Sequence, residues 1–170
     1  MNEMVRVKSV FENLESLARD ATSADEFSAQ AIKLIGPFFA VSTMLFFLPI
    51  DEETLEFKVS YGKPYATLEE GRFLKTHRKT PVTDAIKHQR IQVWGSSSKM
   101  LREYPDLVLW PKIMPAVVAV PILENGAAVA GCVFILSEEF SGEAADEISE
   151  ALGFIAHLIF EVYSRQSKKL

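Results

Sequence analysis

The first forty residues contain two segments in which hydrophobic positions recur at helical spacing. In the first, the apolar residues are Val7, Val10, Phe11, Leu14 and Leu17. This amphipathic pattern predicts a helix that ends near the polar Arg19-Asp20 pair. The second predicted helix begins at Ser23, which forms a capping box with Glu26, and it is expected to end at Gly36-Pro37. Each helix therefore has one apolar side to bury.

The pattern changes to that of strands between Val41 and Ser60. Residues Val41 to Ile50 form an apolar run rich in β-branched and aromatic side chains, which predicts a first strand. From Thr54 to Ser60, apolar and polar residues alternate, which is typical of a half-exposed strand toward the edge of a sheet. Residues 61–79 show weak periodicity and many charges, so we expect a long excursion with at most one short strand near Phe73.

Short elements are predicted between residues 80 and 104. Thr80 and Pro81 start a helix that extends through His88, since Thr is a good N-cap and Pro suits the first helical position. A brief strand follows from Ile91 to Trp94. Ser96 to Ser98 then begin a second short helix that ends at Tyr104, before a proline.

The last third of the chain predicts a hairpin and a long helix. Two apolar strands, Ala116 to Leu123 and Ala127 to Leu136, are joined by Asn125-Gly126, a pair that suits a tight turn. Because both strands are apolar on both faces, both faces of the sheet are expected to be covered. A helix beginning at Ser141 completes an α+β architecture, in which terminal helices bracket an antiparallel sheet.

Composition and charge narrow the class of protein. The 170-residue chain is 48% hydrophobic and carries a net charge of −5, with a pI near 5.3. These values predict one folded domain over residues 1–170 and argue against direct nucleic-acid binding, which needs a strongly basic surface. The apolar runs are shorter than the roughly 20 residues that cross a bilayer, so we expect no membrane partner and a cytoplasmic location. Cys132, the single cysteine, lies in an apolar strand and is expected to be a buried structural residue.

Three segments of the sequence resemble the GAF domain family. They are the stretch from Thr80 to Val93, the hairpin with Pro121 in its first strand and Gly131 in its second, and Phe140-Ser141 with the helix that follows. The resemblance covers about residues 10–163. It implies an α+β fold with a central five- or six-stranded antiparallel sheet, N- and C-terminal helices on one face, and short helices and loops over a ligand pocket on the other.

The resemblance does not identify a cofactor or ligand, because GAF domains bind cyclic nucleotides, tetrapyrroles, haem, amino acids or other metabolites, and some bind nothing. Members that bind cyclic nucleotides carry motifs that this sequence lacks. Bilin attachment needs a cysteine near a pocket helix, whereas Cys132 lies in a strand. The free methionine sulfoxide reductases of this fold work through several cysteines. Haem stays open, since His77 and His88 flank the expected pocket.

Two functions compete at this point. The first is a regulatory sensor that binds a small molecule and signals through its terminal helices to a partner protein or to an output domain outside this sequence. The second is an interaction or dimerisation module whose pocket is filled by its own side chains. The role of the aromatic residues distinguishes the two functions. In a sensor they line a ligand, whereas in an interaction module they plug the cavity. The candidate ligand-binding residues are Phe73, Trp94, Tyr104 and Trp110.

The last helix predicts an interface, and the lack of known catalytic motifs predicts no catalysis. On the last helix an apolar stripe is expected to cover the sheet, while Phe154, His157 and Phe160 project to a different side and predict a parallel homodimer. No nucleophile elbow, phosphate loop or zinc-binding motif is present in the sequence. The sequence therefore predicts no catalytic residues, no metal site and no enzymatic activity.

Overall fold

A computed structural model describes the backbone of residues 3–61, 73–105 and 115–168. The elements follow the predicted order of helices and strands. They are α1 (Glu3–Asp20), α2 (Ala24–Phe39), β1 (Val41–Pro49), β2 (Thr54–Tyr61), β3 (Phe73–Lys75), α3 (Pro81–His88), β4 (Gln92–Trp94), α4 (Ser97–Glu103), β5 (Ala116–Glu124), β6 (Ala127–Leu136) and α5 (Gly142–Ser167).

The strands form a six-stranded antiparallel sheet in the order β3-β2-β1-β6-β5-β4. The hairpin between β5 and β6 turns at Asn125 and Gly126, whose φ angles of 53° and 79° are those that a tight Asn-Gly turn requires. The strand β2 is second from the edge, because β3 pairs with its outer side. The predicted α+β architecture is confirmed.

Each face of the sheet has its own apolar core, which follows from the alternation of side chains along the strands. On β6, Cys132 and Phe134 face the core under α1, α2 and α5, while Val133 and Ile135 face a second core under α3 and α4. Cys132 is completely buried, and this burial raises the pKa of its thiol far above the ordinary value. The prediction that Cys132 is a buried strand residue is confirmed.

The terminal helices form a layer that is held together at one end by hydrogen bonds. Phe11 of α1 packs edge-on against Phe154 of α5, with ring centroids 5.1 Å apart. Near the ends of both helices, one Arg165 nitrogen donates to the carbonyl oxygens of Ala18 and Ala21 at 2.7 and 2.9 Å. Because the contacts advance in the same direction along both helices, α1 and α5 run parallel. This pair of helices is therefore clamped at its carboxyl end.

The end of α2 differs from the prediction. The helix passes through Pro37 and ends at Phe39, rather than stopping at Gly36-Pro37. Proline removes one hydrogen bond but fits the helical φ angle, and in the last turn the remaining bonds suffice. The helix closes where Ala40 takes a left-handed conformation and its N–H donates to Gly36. The buried ring of Phe39 supports this extra turn.

Candidate functional site

Two of the residues proposed from the sequence, Trp94 and Tyr104, lie on the side of the sheet that α3 and α4 cover, which is called the α3–α4 side. The core there is built mainly from apolar residues of β1, β5 and β6 and from the two short helices. Helix α3 approaches the sheet closely at Gly131. A Cβ atom at this position would lie 2.6 Å from Val82 Cγ2 and 3.1 Å from Ile86 Cδ1. The missing side chain of Gly131 thus sets the height of α3 above the sheet.

The amino end of α3 is fixed by two buried threonines. The Thr80 hydroxyl accepts from the Thr83 N–H, and the Thr83 hydroxyl accepts from the Thr80 N–H at 2.9 Å, which makes a complete capping box. The Thr83 hydroxyl also donates to the Arg78 carbonyl oxygen at 2.6 Å. These bonds satisfy amide groups that the first turn of a helix leaves free, and they hold the preceding segment against α3.

Trp94 and Tyr104 are brought together on this side. Their rings pack edge to face with centroids 5.3 Å apart, and their exposed fractions are only 4% and 2%. The Trp94 indole N–H donates to Glu103 Oε2 at 2.7 Å, and the Tyr104 hydroxyl donates to Asp84 Oδ2 at 2.6 Å. The pair therefore links β4, α3 and α4 through both apolar contacts and hydrogen bonds.

The ionisation of Tyr104 is suppressed by this environment. Burial raises the pKa of the phenol most, and the Asp84 carboxylate that accepts its hydrogen bond raises the pKa further. Tyr104 is therefore a neutral hydrogen-bond donor across the physiological pH range.

Two polar atoms on the same side have no hydrogen-bond partner among the described residues. Thr43 alternates with Leu45 and Phe47 toward the second core, is only 1% exposed, and leaves its Oγ1 unpaired. Gln92 shares the side of Trp94 and leaves its Nε2 unpaired. Because buried polar groups are nearly always paired, such atoms need a physical explanation.

The strand register places Thr43 and Trp94 in one row. Thr43 pairs with Ile135, Ile135 with Val117, and Val117 with Trp94. The side chains of these four residues, called the Thr43–Trp94 row below, share the α3–α4 side of four neighbouring strands. Three strand spacings make the row about 14 Å long, which is the length of a small metabolite or cofactor fragment.

Structural comparison shows which known fold this arrangement matches. The chain superposes on the GAF domain of an Acinetobacter phosphoenolpyruvate-protein phosphotransferase with a TM-score of 0.68, 12% identity, and coverage of 98% of this chain and 99% of that one. The A. aeolicus nlh2 GAF domain, in an inactive state, gives 0.67 at 14% identity, with coverage of 96% and 98%. The chain has a GAF-like fold. No protein-family model and no curated protein sequence matches it.

The GAF-like fold also corrects the prediction about catalysis. A free methionine-R-sulfoxide reductase from Neisseria meningitidis, solved with its substrate, superposes with a TM-score of 0.68 at 15% identity, over 96% of this chain and 91% of that one. Because enzymes share the fold of this chain, the prediction that the chain is not an enzyme conflicts with these structures and does not stand. The absence of known catalytic motifs and the single cysteine led to that prediction, but a fold that hosts several functions does not exclude catalysis.

The predicted ligand-binding residues fall in different places on the GAF-like fold. Trp94 and Tyr104 meet on the α3–α4 side. Phe73 lies on β3, at the opposite edge of the sheet from Trp94, and it is 55% exposed. Its neighbour Leu74 packs into the second core, so alternation directs Phe73 to the other side of the sheet. Trp110 lies outside the described residues.

The predicted interface residues also differ in their surroundings. Phe154 is half-buried against Phe11 of the same chain, and Phe160 is half-buried on α5. His157 is exposed, with its Nδ1 2.8 Å from the Gly153 carbonyl oxygen. A spacing of six residues separates Phe154 and Phe160 by roughly 120° around the helix. The face centred on His157 is therefore flanked by two aromatic rings, one of which α1 already covers.

Several site residues were not identified from the sequence. Thr43 carried a signal, because it is a polar residue at an inward position of a largely apolar strand. No signal in the sequence indicated the contact of Asp84 with Tyr104 or that of Glu103 with Trp94. The spacing of residues along the chain does not reveal contacts between separate short elements. The described residues bring together no group of three or more His, Cys, Asp or Glu side chains that would hold a metal. Among those residues, no helix is long and apolar enough to cross a membrane.

Proposed function

We propose that this chain is a regulatory sensor domain that binds a small molecule along the Thr43–Trp94 row and passes the bound state to a partner through α1 and α5. The unpaired hydroxyl of Thr43 carries this proposal. An unsatisfied buried polar group costs about 1–3 kcal/mol, and a ligand that supplies the missing hydrogen bond recovers this free energy.

The ligand that fits this row is small, largely uncharged and partly apolar or aromatic. Ile135 and Val117 lie between Thr43 and Trp94 and are 0% and 1% exposed, so a ligand takes the place of side chains that now cover them, and its polar group bonds to Thr43 Oγ1. Trp94 and Tyr104 supply aromatic faces and edges at the other end of the row. Tyr104 has its hydroxyl engaged by Asp84, so it contributes packing rather than a free donor.

The terminal helices are suited to carry the output because they cover the opposite face of the same sheet. Strands β1, β5 and β6 contribute side chains to both cores, so a ligand that shifts them acts on α2 and α5 directly. Arg165 joins the ends of α1 and α5. We infer that a second copy of the chain or a signalling partner reads the position of this clamped pair.

A second candidate function is an interaction module whose pocket is filled. The tight packing of Trp94 on Tyr104, both almost fully buried, favours it, because these rings already occupy part of the space that a ligand would take. The two functions differ in one respect that is open to measurement. Only the sensor needs the Thr43 hydroxyl to contact something other than protein.

A thermal-shift screen of uncharged and weakly polar metabolites tests the proposal with two matched variants. Thr43→Val removes the unpaired hydroxyl on the α3–α4 side. Ser28→Ala removes an equally buried and unpaired hydroxyl on the helical side, where no ligand is proposed. The screen includes free methionine-R-sulfoxide, because the Neisseria reductase was solved with its substrate.

The sensor predicts at least one compound that raises the melting temperature of the wild type and of Ser28→Ala. Thr43→Val should bind that compound about tenfold more weakly, while the ligand-free variant should be no less stable than the ligand-free wild type, because the change removes an unsatisfied hydroxyl. If no compound stabilises the wild type, or if both variants respond alike, the interaction module replaces the sensor. Turnover of methionine-R-sulfoxide would instead make the chain an enzyme of that chemistry.

A further inference from the structure

Positive charge is concentrated in one part of this acidic protein. Residues 76–105 contain six basic residues (Lys and Arg) and two acidic residues (Asp and Glu). The whole chain contains 18 basic and 23 acidic residues. This segment forms α3, β4 and α4 and the turn that leads into them. Its six cations, called the basic face below, are all exposed and are Arg78, Lys79, Lys87, Arg90, Lys99 and Arg102.

The cations of the basic face have no carboxylate partners among the described residues. The two acidic side chains of the segment are engaged elsewhere, Asp84 by Tyr104 and Glu103 by Trp94. In the described part of the chain the ion pair observed is Lys58 with Glu56, on β2. Lys79 lies 5.7 Å from the ring centre of Tyr104, a cation–π contact that leaves its charge uncompensated.

Two contacts join the short elements that carry the basic face. Lys79 lies over Tyr104 at the end of α4, and Tyr104 bonds to Asp84 on α3. Lys99 and Arg102 belong to α4, and Lys87 lies at the carboxyl end of α3. Six cations against two carboxylates on these short elements produce a net positive local potential, which draws an anionic partner even on a protein with net negative charge.

An exposed apolar side chain favours a protein over a nucleic acid as the anionic partner. Leu101 is 53% exposed and lies on α4 between Lys99 and Arg102 in sequence. Protein interfaces combine an apolar contact with a charged rim, whereas nucleic acids present phosphates along their whole length. The carboxylates outside the segment would repel a long polyanion, but a short acidic segment avoids them.

We propose that the basic face binds an acidic peptide segment of a partner protein, with Leu101 as its apolar contact. The proposal goes beyond the sensor function and does not depend on it, because the basic face lies on the exposed side of α3 and α4 rather than on the sheet beneath them. Electrostatic attraction between such surfaces raises the association rate and falls with added salt.

The test uses a fluorescein-labelled peptide in which glutamate and aspartate alternate with leucine, and measures its anisotropy with the full chain. One variant combines Lys87→Glu, Arg90→Glu, Lys99→Glu and Arg102→Glu. A matched control combines Lys8→Glu, Arg19→Glu, Lys33→Glu and Lys168→Glu on exposed positions of the helical layer. The two variants have the same net charge, and circular dichroism verifies that both are folded.

The proposal expects salt-sensitive binding by the wild type, a loss of at least about tenfold in the basic-face variant, and a change of no more than about twofold in the control. Leu101→Gln should weaken binding without changing the salt dependence. Three results would overturn the proposal: no binding by the wild type, equal loss in both variants, or equally tight binding of a single-stranded DNA oligonucleotide of the same charge. The last result would indicate a surface that selects charge alone.

Discussion

Tyr104 and Trp94 illustrate at the scale of single residues how a polar atom is accommodated in a nearly closed core. Each ring is buried, yet its donor reaches a carboxylate at the surface, Asp84 for the phenol and Glu103 for the indole. A buried donor without such a partner would be costly. The two acceptors are therefore part of the site even though neither carboxylate lies in the core.

The raised pKa of Tyr104 predicts a specific pH dependence. The unfolded tyrosine loses its proton near pH 10, while the folded residue retains it, so its contribution to stability is complete below about pH 10 and declines above it. The wild type should therefore lose more stability than Tyr104→Phe between about pH 9 and pH 11. Urea unfolding at several pH values measures this difference, and parallel curves for the two proteins would contradict the assignment.

Near neutral pH, Tyr104→Phe should cost about 1 kcal/mol for the lost hydrogen bond.

Helix α3 shows at the scale of elements how one glycine sets a packing distance. Gly131→Ala places a methyl group against Val82 and Ile86, so we expect a loss of roughly 1–3 kcal/mol. Gly142→Ala is the control and should be nearly neutral, because nothing lies within 4 Å of its Cβ position. Combining Gly131→Ala with Val82→Ala should cost less than the sum of the single changes, since the clash is shared. Additive losses in urea unfolding would show that α3 does not rest on Gly131.

Most elements could be predicted from the sequence because their signals are local. The Asn125-Gly126 turn, the Thr80-Pro81 helix start and the alternation along β2 each depend on residues close together in sequence. The end of α2 was missed because Phe39 packs into the core and extends the helix past Pro37. The side of the sheet that Phe73 faces was missed for a similar reason, since a three-residue strand takes its register from pairing with β2.

At the scale of the whole molecule, the helical layer carries the residues to which the predicted homodimer is assigned. The predicted parallel homodimer uses α5, where Phe160 and the exposed His157 lie three residues apart, and where Phe154 already packs against Phe11 of α1. Phe160→Glu should therefore give a folded monomer without disturbing the contact between Phe11 and Phe154. Leu101→Glu, on the opposite side of the sheet, is the control and should leave the dimer intact. Light scattering that finds the wild type monomeric would reject the dimer.

The layered architecture was predictable, but the chemistry of the site was not. Apolar strands on both faces required two cores, and the terminal helices supplied one of the covers. The site depends on contacts across strands and short helices, such as the row from Thr43 to Trp94, and no local pattern encodes these. The GAF-like fold itself leaves the function open, as the reductases that share it demonstrate.

Native mass spectrometry of gently purified protein tests most directly whether the Thr43–Trp94 row holds a ligand. The sensor predicts a species, monomer or dimer, whose mass exceeds that of its protein chains by the mass of a small molecule, and this excess is lost on denaturation. The extra mass should persist in Ser28→Ala and be reduced or lost in Thr43→Val. A wild-type mass equal to that of one or two bare chains, in a protein that no screened metabolite stabilises, would contradict the ligand-binding function.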